Sequence, residues 1–187
     1  MSEASKGTRR SGRDRAVVVV GSINRDTSMH VSHLPQAGET LATLHSQVDL
    51  GGKGANQAVA ARRGGSRVVL LGAVGDGSEG SELLAWLSEA GIDVGHTERI
   101  AGCVSGAAAI LVDVSGENVI ILTPGANAAV SPAYVAANEA VIADASVLVV
   151  QGELPAAATR AAIRAARRHG VRTIVNLAPV QSLGDAR

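Results

Sequence analysis

The chain has 187 residues, about one domain by the usual length prior, and 46% of them are apolar while only 1% are aromatic, so its core must rest on Val, Leu, Ile and Ala. Lys plus Arg and Asp plus Glu balance at 17 each, which leaves no global field to draw nucleic acid or an anionic membrane. The single cysteine, Cys103, excludes an internal disulfide and a thiolate zinc cluster, and no apolar run approaches a membrane span.

In chain order, residues 1–15 hold Lys6, Arg9, Arg10, Arg13 and Arg15 and read as a solvated, disordered tail. Val17–Val20 is too short for the apolar part of a signal peptide, so a cytoplasmic setting is expected. Ala16–Val20 is a continuous β-branched strand of the kind buried inside a parallel sheet, and Arg67–Leu71, Ser146–Val150 and Val171–Val175 repeat it. Helices are predicted over Ala55–Arg63, over Glu79–Ala90 ending at Gly91, from the Ser131-Pro132 cap to about Ala143, and from Pro155 to His169 before Gly170. Strands alternating with helices indicate βαβ units, hence an α/β fold with a parallel sheet.

Two segments break this rhythm. Thr27–Leu50 is long for a strand-to-helix loop, and Ser105–Thr123 reads as a hairpin turning at Ser115-Gly116. Both are expected to project from the main sheet as a small β-lid, within one domain spanning residues 16–187.

The most informative stretch is Gly51-Gly52-Lys53-Gly54-Ala55-Asn56-Gln57. Three glycines in four residues let backbone N–H groups approach a ligand closely, and a helix begins at the same spot. Lys53 adds a mobile cation and Asn56 an amide with both donor and acceptor. A phosphate-binding P-loop needs Ser or Thr where Gly54 stands, and a dinucleotide fingerprint needs Gly where Gln57 stands. A tight turn without a ligand is the plain alternative.

Ligands of open α/β sheets bind beyond the carboxyl ends of the strands. Asn24 and Asp26 follow the first strand, Gln151 and Glu153 follow the third, and Asn176 closes the last. Any one of these also suits a turn or cap; together with Lys53 and Asn56 they suit a sugar or other polyol, each group giving or taking a hydroxyl hydrogen bond. Asp76 and Ser78 read as a helix cap, and Trp86 as a packed helix residue. His30 and His33 lack the partners of a zinc site, no Gly-x-Ser-x-Gly elbow supports hydrolysis, and nothing beside Cys103 would activate its thiol.

With those residues in view, the chain resembles the ribokinase/phosphofructokinase-B family of sugar kinases, its ribokinase branch more than its fructokinase or adenosine kinase branches. The matching pieces are Gly21-Ser22-Ile23-Asn24 with Asp26, Pro35 with Gly38-Glu39-Thr40, and Gly51 through Ala61. Further on they are Gly116-Glu117-Asn118-Val119-Ile120, Gly125-Ala126-Asn127, Glu153-Leu154-Pro155, and Asn176 with Ala178-Pro179. The resemblance implies a three-layer α/β/α sandwich, Rossmann-like, with a β-lid through which dimers pair. It implies transfer of phosphate from ATP to O5 of ribose with Mg²⁺ and a monovalent cation such as K⁺. It places Asn24, Asp26, Gly52, Lys53, Asn56 and Glu153 on the sugar, and Asn176 weakly on the cofactor side.

The family's second signature, a Gly-Ala-Gly-Asp run carrying the catalytic aspartate, does not occur here, and Gly184-Asp185 lacks its context. By the resemblance, that aspartate is expected beyond Arg187, and none of these residues is expected to be catalytic. The resemblance therefore gives a chain with the sugar-binding half but not the ATP site, with Val171–Val175 an uncovered sheet edge. Three readings follow: the N-terminal part of a ribokinase, inactive alone; a non-catalytic sugar-binding and dimerising module; or a kinase of another sugar or nucleoside.

Overall fold

The computed structural model describes residues 15–180, so all but the last residue of the expected tail lie outside the described residues. The Gly184-Asp185 pair and Arg187 lie outside them too, and the expectation of a catalytic aspartate beyond Arg187 concerns no described residue. Strand β1 (Val17–Val20) enters the middle of a parallel sheet because a run of four valines buries equally well on both faces. The chain then leaves this sheet through β2 (Asn24–His30) and β3 (His45–Gly51), and returns by α1 (Lys53–Arg63) to β4 (Val68–Leu71). Val17 to Val20 pair in register with Val68 to Leu71 on one side.

Two three-residue strands, β5 (Ala73–Gly75) and β6 (Glu98–Ile100), pair in parallel around α2 (Ser78–Glu89). The chain leaves again as β7 (Gly106–Val112) and β8 (Asn118–Thr123), antiparallel across the Ser115-Gly116 turn. A 3₁₀ turn at Gly125–Ala129 then leads into α3 (Pro132–Ala137) and α4 (Glu139–Ala143). Finally β9 (Val147–Gln151), α5 (Ala156–Arg168) and β10 (Arg172–Asn176) complete a four-stranded parallel sheet in the order β10-β9-β1-β4.

Two apolar clusters fill the two faces of that sheet. Val19, Leu70, Leu83, Leu87, Ala55 and Ala58 lie on the side of α1 and α2. Val18, Val20, Leu148, Val150, Ile142, Ala158 and Ala162 lie on the side of α3, α4 and α5. Alternate valines of β1 thus face opposite helix layers, which makes the α/β/α sandwich. With so few aromatics, alanine stripes bring the helices close: Ala158, Ala162, Ala165 and Ala166 of α5 are all buried.

The two segments that break the strand–helix rhythm come together. Strands β3-β2-β7-β8 form a separate four-stranded sheet, with β2 parallel to β7 and antiparallel to β3. It begins at Asn24 rather than Thr27, so the residues after β1 belong to both the body and this second sheet. Arg25 Nε donates to Glu82 Oε2 at 3.0 Å, tying the sheet to α2.

Two expectations are corrected. The helix from Ser131 is two helices: Ser131 caps it as expected, but Asn138 breaks it. The Asn138 side chain donates to the Tyr134 carbonyl and meets His96 Nδ1, competing with the helical ladder. Neither Asp76 nor Ser78 caps α2; Gly77 stands at that position, and Asp76 Oδ2 instead accepts from the Gly102 N–H at 3.1 Å.

Candidate functional site

The start of α1 is built by three elements meeting beyond the carboxyl edge of the sheet. Gly52 has φ of 85°, a left-handed conformation open to glycine, and, lacking a side chain, it cannot cap the helix. A Cβ on Gly54 would lie 2.5 Å from the Gly21 backbone, so α1 can begin hard against the end of β1 only with glycine there. The exposed N–H groups of the first turn therefore need partners from elsewhere.

Glu153, on the loop after β9, supplies them. Its Oε2 accepts from the Lys53 N–H at 2.9 Å and from Ser22 Oγ at 2.6 Å, while Oε1 lies 3.3 Å from Lys53 Nζ. Gly54 N–H donates to Ser22 Oγ at 3.3 Å, and Ala55 N–H to the Ser22 carbonyl at 2.9 Å. A carboxylate at a helix N-terminus is favoured by the partial positive charge there. This differs from the sequence expectation that the glycine loop offers its N–H groups to a ligand: they are taken up by the protein itself.

Asn24 is buried and its Oδ1 accepts from Asn127 Nδ2 at 2.8 Å, while Asn127 also clasps both backbone groups of Ile23. Asp26, two residues on along the same face of β2, is half-buried, and its Oδ1 has no hydrogen-bond partner among the described residues. Burial holds the Asp26 carboxyl above the usual carboxylate range, the nearby Glu153 and Asp49 charges add to this, and Lys53 opposes it.

A cleft of ≈ 200 Å³ opens here, lined by Ser22, Asn24, Thr123, Pro124, Asn127 and Glu153 among others. It falls below the range of about 300–1,000 Å³ usual for drug-sized ligands, as suits a small polar solute. The Glu153 carboxylate, the Asn24 and Asn127 amides and the Ser22 hydroxyl in its lining can answer hydroxyls of either hydrogen-bonding sense.

Of the residues expected at the site, Asn24 and Glu153 line this cleft; Asp26, Lys53 and Gly52 do not line it, although Asp26 and Lys53 both lie near Glu153. Asn56 is exposed and lines a different, larger cleft of ≈ 450 Å³ between β3, α1 and α2, with Arg63, Trp86 and Glu89. Asn176 ends β10 opposite Gln151, two strands from β1, and does not line the smaller cleft. Ser22 and Asn127 were not singled out as site residues from the sequence. Only their places in the Gly21-Ser22-Ile23-Asn24 and Gly125-Ala126-Asn127 runs could have signalled them.

An α/β sandwich with a separate four-stranded sheet and a small cleft at the carboxyl edge of its parallel strands is the class that this fold and site define. The chain belongs to the pfkB family of carbohydrate kinases, whose pattern it matches over residues 14–185. It is similar to the ribokinase of Haemophilus influenzae, 38% identical over 171 residues, which are 91% of this chain and 56% of that protein. The ribokinase of Schizosaccharomyces pombe is 40% identical over 172 residues, covering 87% and 53%. Among solved structures, Arabidopsis thaliana ribokinase complexed with ribose and ATP superposes with a TM-score of 0.79 at 27% identity, covering 86% of this chain and 53% of that one. The chain spans about half the length of the curated relatives it matches.

Proposed function

We propose that these residues form the sugar-binding part of an ATP-dependent ribokinase, with Asn24, Asp26, Lys53 and Glu153 facing D-ribose. The observation that carries this reading is the buried, unpartnered Asp26 oxygen near the Glu153–Lys53 pair, whose Glu153 also lines the small cleft. A carboxylate without a partner in a half-buried place is matched by a ligand hydroxyl. The relatives' names and the ribose in the Arabidopsis structure point to the same sugar.

ATP, with Mg²⁺ and a monovalent cation such as K⁺, would supply the phosphoryl donor in that reaction. The described residues do not fit the donor at the glycine loop, because the Glu153 carboxylate already fills the N-terminus of α1 and would repel a phosphate. These 187 residues, which contain no Gly-Ala-Gly-Asp run, are therefore proposed to bind sugar and not to transfer phosphoryl groups by themselves. The four-stranded β3-β2-β7-β8 sheet is the proposed lid. It is also the proposed homodimer contact, since Val119, Ile120, Ile121 and Leu122 of its edge strand are exposed.

Isothermal titration of the chain with D-ribose should show binding, and Asp26→Ala should weaken it by about 1–3 kcal/mol, the scale for leaving a buried polar partner unmatched. Mixed with ATP, Mg²⁺ and K⁺, the chain should form no ribose 5-phosphate above background. Unchanged affinity in Asp26→Ala would remove the site assignment, and phosphorylated product would remove the division of labour.

A further inference from the structure

Asp26 and Asp49 stand directly opposite each other in the antiparallel β2–β3 pair, so both side chains emerge on one face of the second sheet. Opposed residues of such a pair hold their Cβ atoms only about 4.5–5.5 Å apart, and like charges placed so repel. Gln47, also on that face, donates to Asp49 Oδ2 at 2.8 Å, which holds the Asp49 carboxylate along β3. The Asp26 carboxylate lies the other way. Its three outer atoms occupy the space of a side chain at Gly51, where a Cβ would lie 1.9 Å from Oδ2 and 2.4 Å from Oδ1. That placement carries it toward the loop that presents Lys53.

We propose that Asp49 is a positioning residue for Asp26: from across the strand pair its charge keeps the Asp26 carboxylate over Gly51, on the side of Lys53 and Glu153, where it meets the sugar. This rests on the reading of Asp26 as a sugar-binding group. The groups facing Asp26 are Asp49 on β3, Glu153 on the loop after β9 and Lys53 on α1; its neighbour on β7 is the uncharged Ala108, and Arg25 on β2 is turned away to Glu82. Burial first, then the Glu153 and Asp49 charges against that of Lys53, favour a proton on Asp26 at a higher pH than in an ordinary aspartate. A protonated Asp26 loses acceptor capacity for a hydroxyl, so sugar affinity falls as pH drops through that point and levels off once the carboxyl is fully protonated.

The experiment pairs two measurements on the chain and on Asp49→Asn, a change at an exposed strand position that leaves the core untouched. The first is the titration of the Asp26 carboxyl carbon followed by ¹³C NMR without ligand. The second is D-ribose affinity by calorimetry from pH 7.5 down to pH 4.5. In Asp49→Asn, both the Asp26 midpoint and the acid limb of ribose binding move to lower pH by the same amount, whereas Asp49→Glu, which keeps the charge, leaves the limb in place. Ribose binding with an unmoved midpoint or limb in Asp49→Asn overturns the proposal. A chain that binds no ribose at any pH overturns the sugar reading, and the proposal falls with it; the NMR midpoint then shows whether the two carboxylates interact at all.

Discussion

At the scale of single residues, Glu153 acts both as a cap for α1 and as a wall of the cleft. Three donors from two other elements converge on its Oε2 and Oε1, and its side chain is only 12% exposed. Removing the charge in Glu153→Gln keeps the shape but exchanges a carboxylate at a helix N-terminus for a neutral amide. Charge-assisted bonds of this kind contribute about 1.5–3 kcal/mol, so the urea midpoint of the variant should fall accordingly. A midpoint equal to that of the unaltered chain would mean that Glu153 does not cap the helix. Glu153 was legible in the sequence as a strand-end carboxylate. Its partner Ser22 was not, because a serine in a strand-end turn carries no pattern of its own. Asp49 was equally silent: its meaning comes from Asp26 across the ladder, a neighbour in register and not in sequence.

At the scale of elements, the four long parallel strands were legible because runs such as Val17–Val20 and Val147–Val150 have few alternatives to a doubly buried strand. The three-residue strands β5 and β6 were missed, since three residues cannot show a period. The junction between α3 and α4 was missed for a different reason: Asn138 is a tolerable helix residue, and only its tertiary partner His96 makes the break worthwhile. Tyr134 lies one turn before that break. Its hydroxyl donates to the His96 carbonyl and accepts from the Gly72 N–H at 2.9 Å, and burial pushes its phenol well above the ordinary range. Tyr134→Phe leaves the Gly72 N–H without its partner and should cost about 1–3 kcal/mol in denaturant unfolding. An unaltered midpoint would show that this hydroxyl does not hold α3 to the sheet.

At the scale of the whole molecule, apolar surface is concentrated in two places. On β8, Ile121 is 61% exposed, with Val119, Ile120 and Leu122 beside it; on the edge strand β10, Ile174 is 54% exposed with Val175. A surface of this kind on an edge strand is covered by another chain or invites aggregation. If the second sheet forms the homodimer contact, Ile121→Lys should convert a dimer into a monomer in sedimentation velocity while leaving the far-ultraviolet circular dichroism unchanged. A variant that still sediments as the unaltered chain does would place the contact elsewhere. Among the described residues no helix is long and apolar enough to cross a membrane, so neither patch belongs to a spanning helix.

The α/β class, the parallel strands and the projecting β segments were determined locally, by hydrophobic period, chain punctuation and the length of the segments between them. The Gly-Lys-Gly loop with its Lys53 was also visible, and so were Asn24, Asp26 and Glu153 as strand-end polar residues. What that loop does was decided only by the tertiary structure. Its helix start is closed by Glu153, 100 positions further along the chain from Lys53. The same holds for the separation of Asn56 and Asn176 from the smaller cleft, and for the pairing of Asp26 with Asp49. Local pattern reports which face of an element is buried, whereas hydrogen bonds and charges act through space and take their partners from wherever the fold brings them.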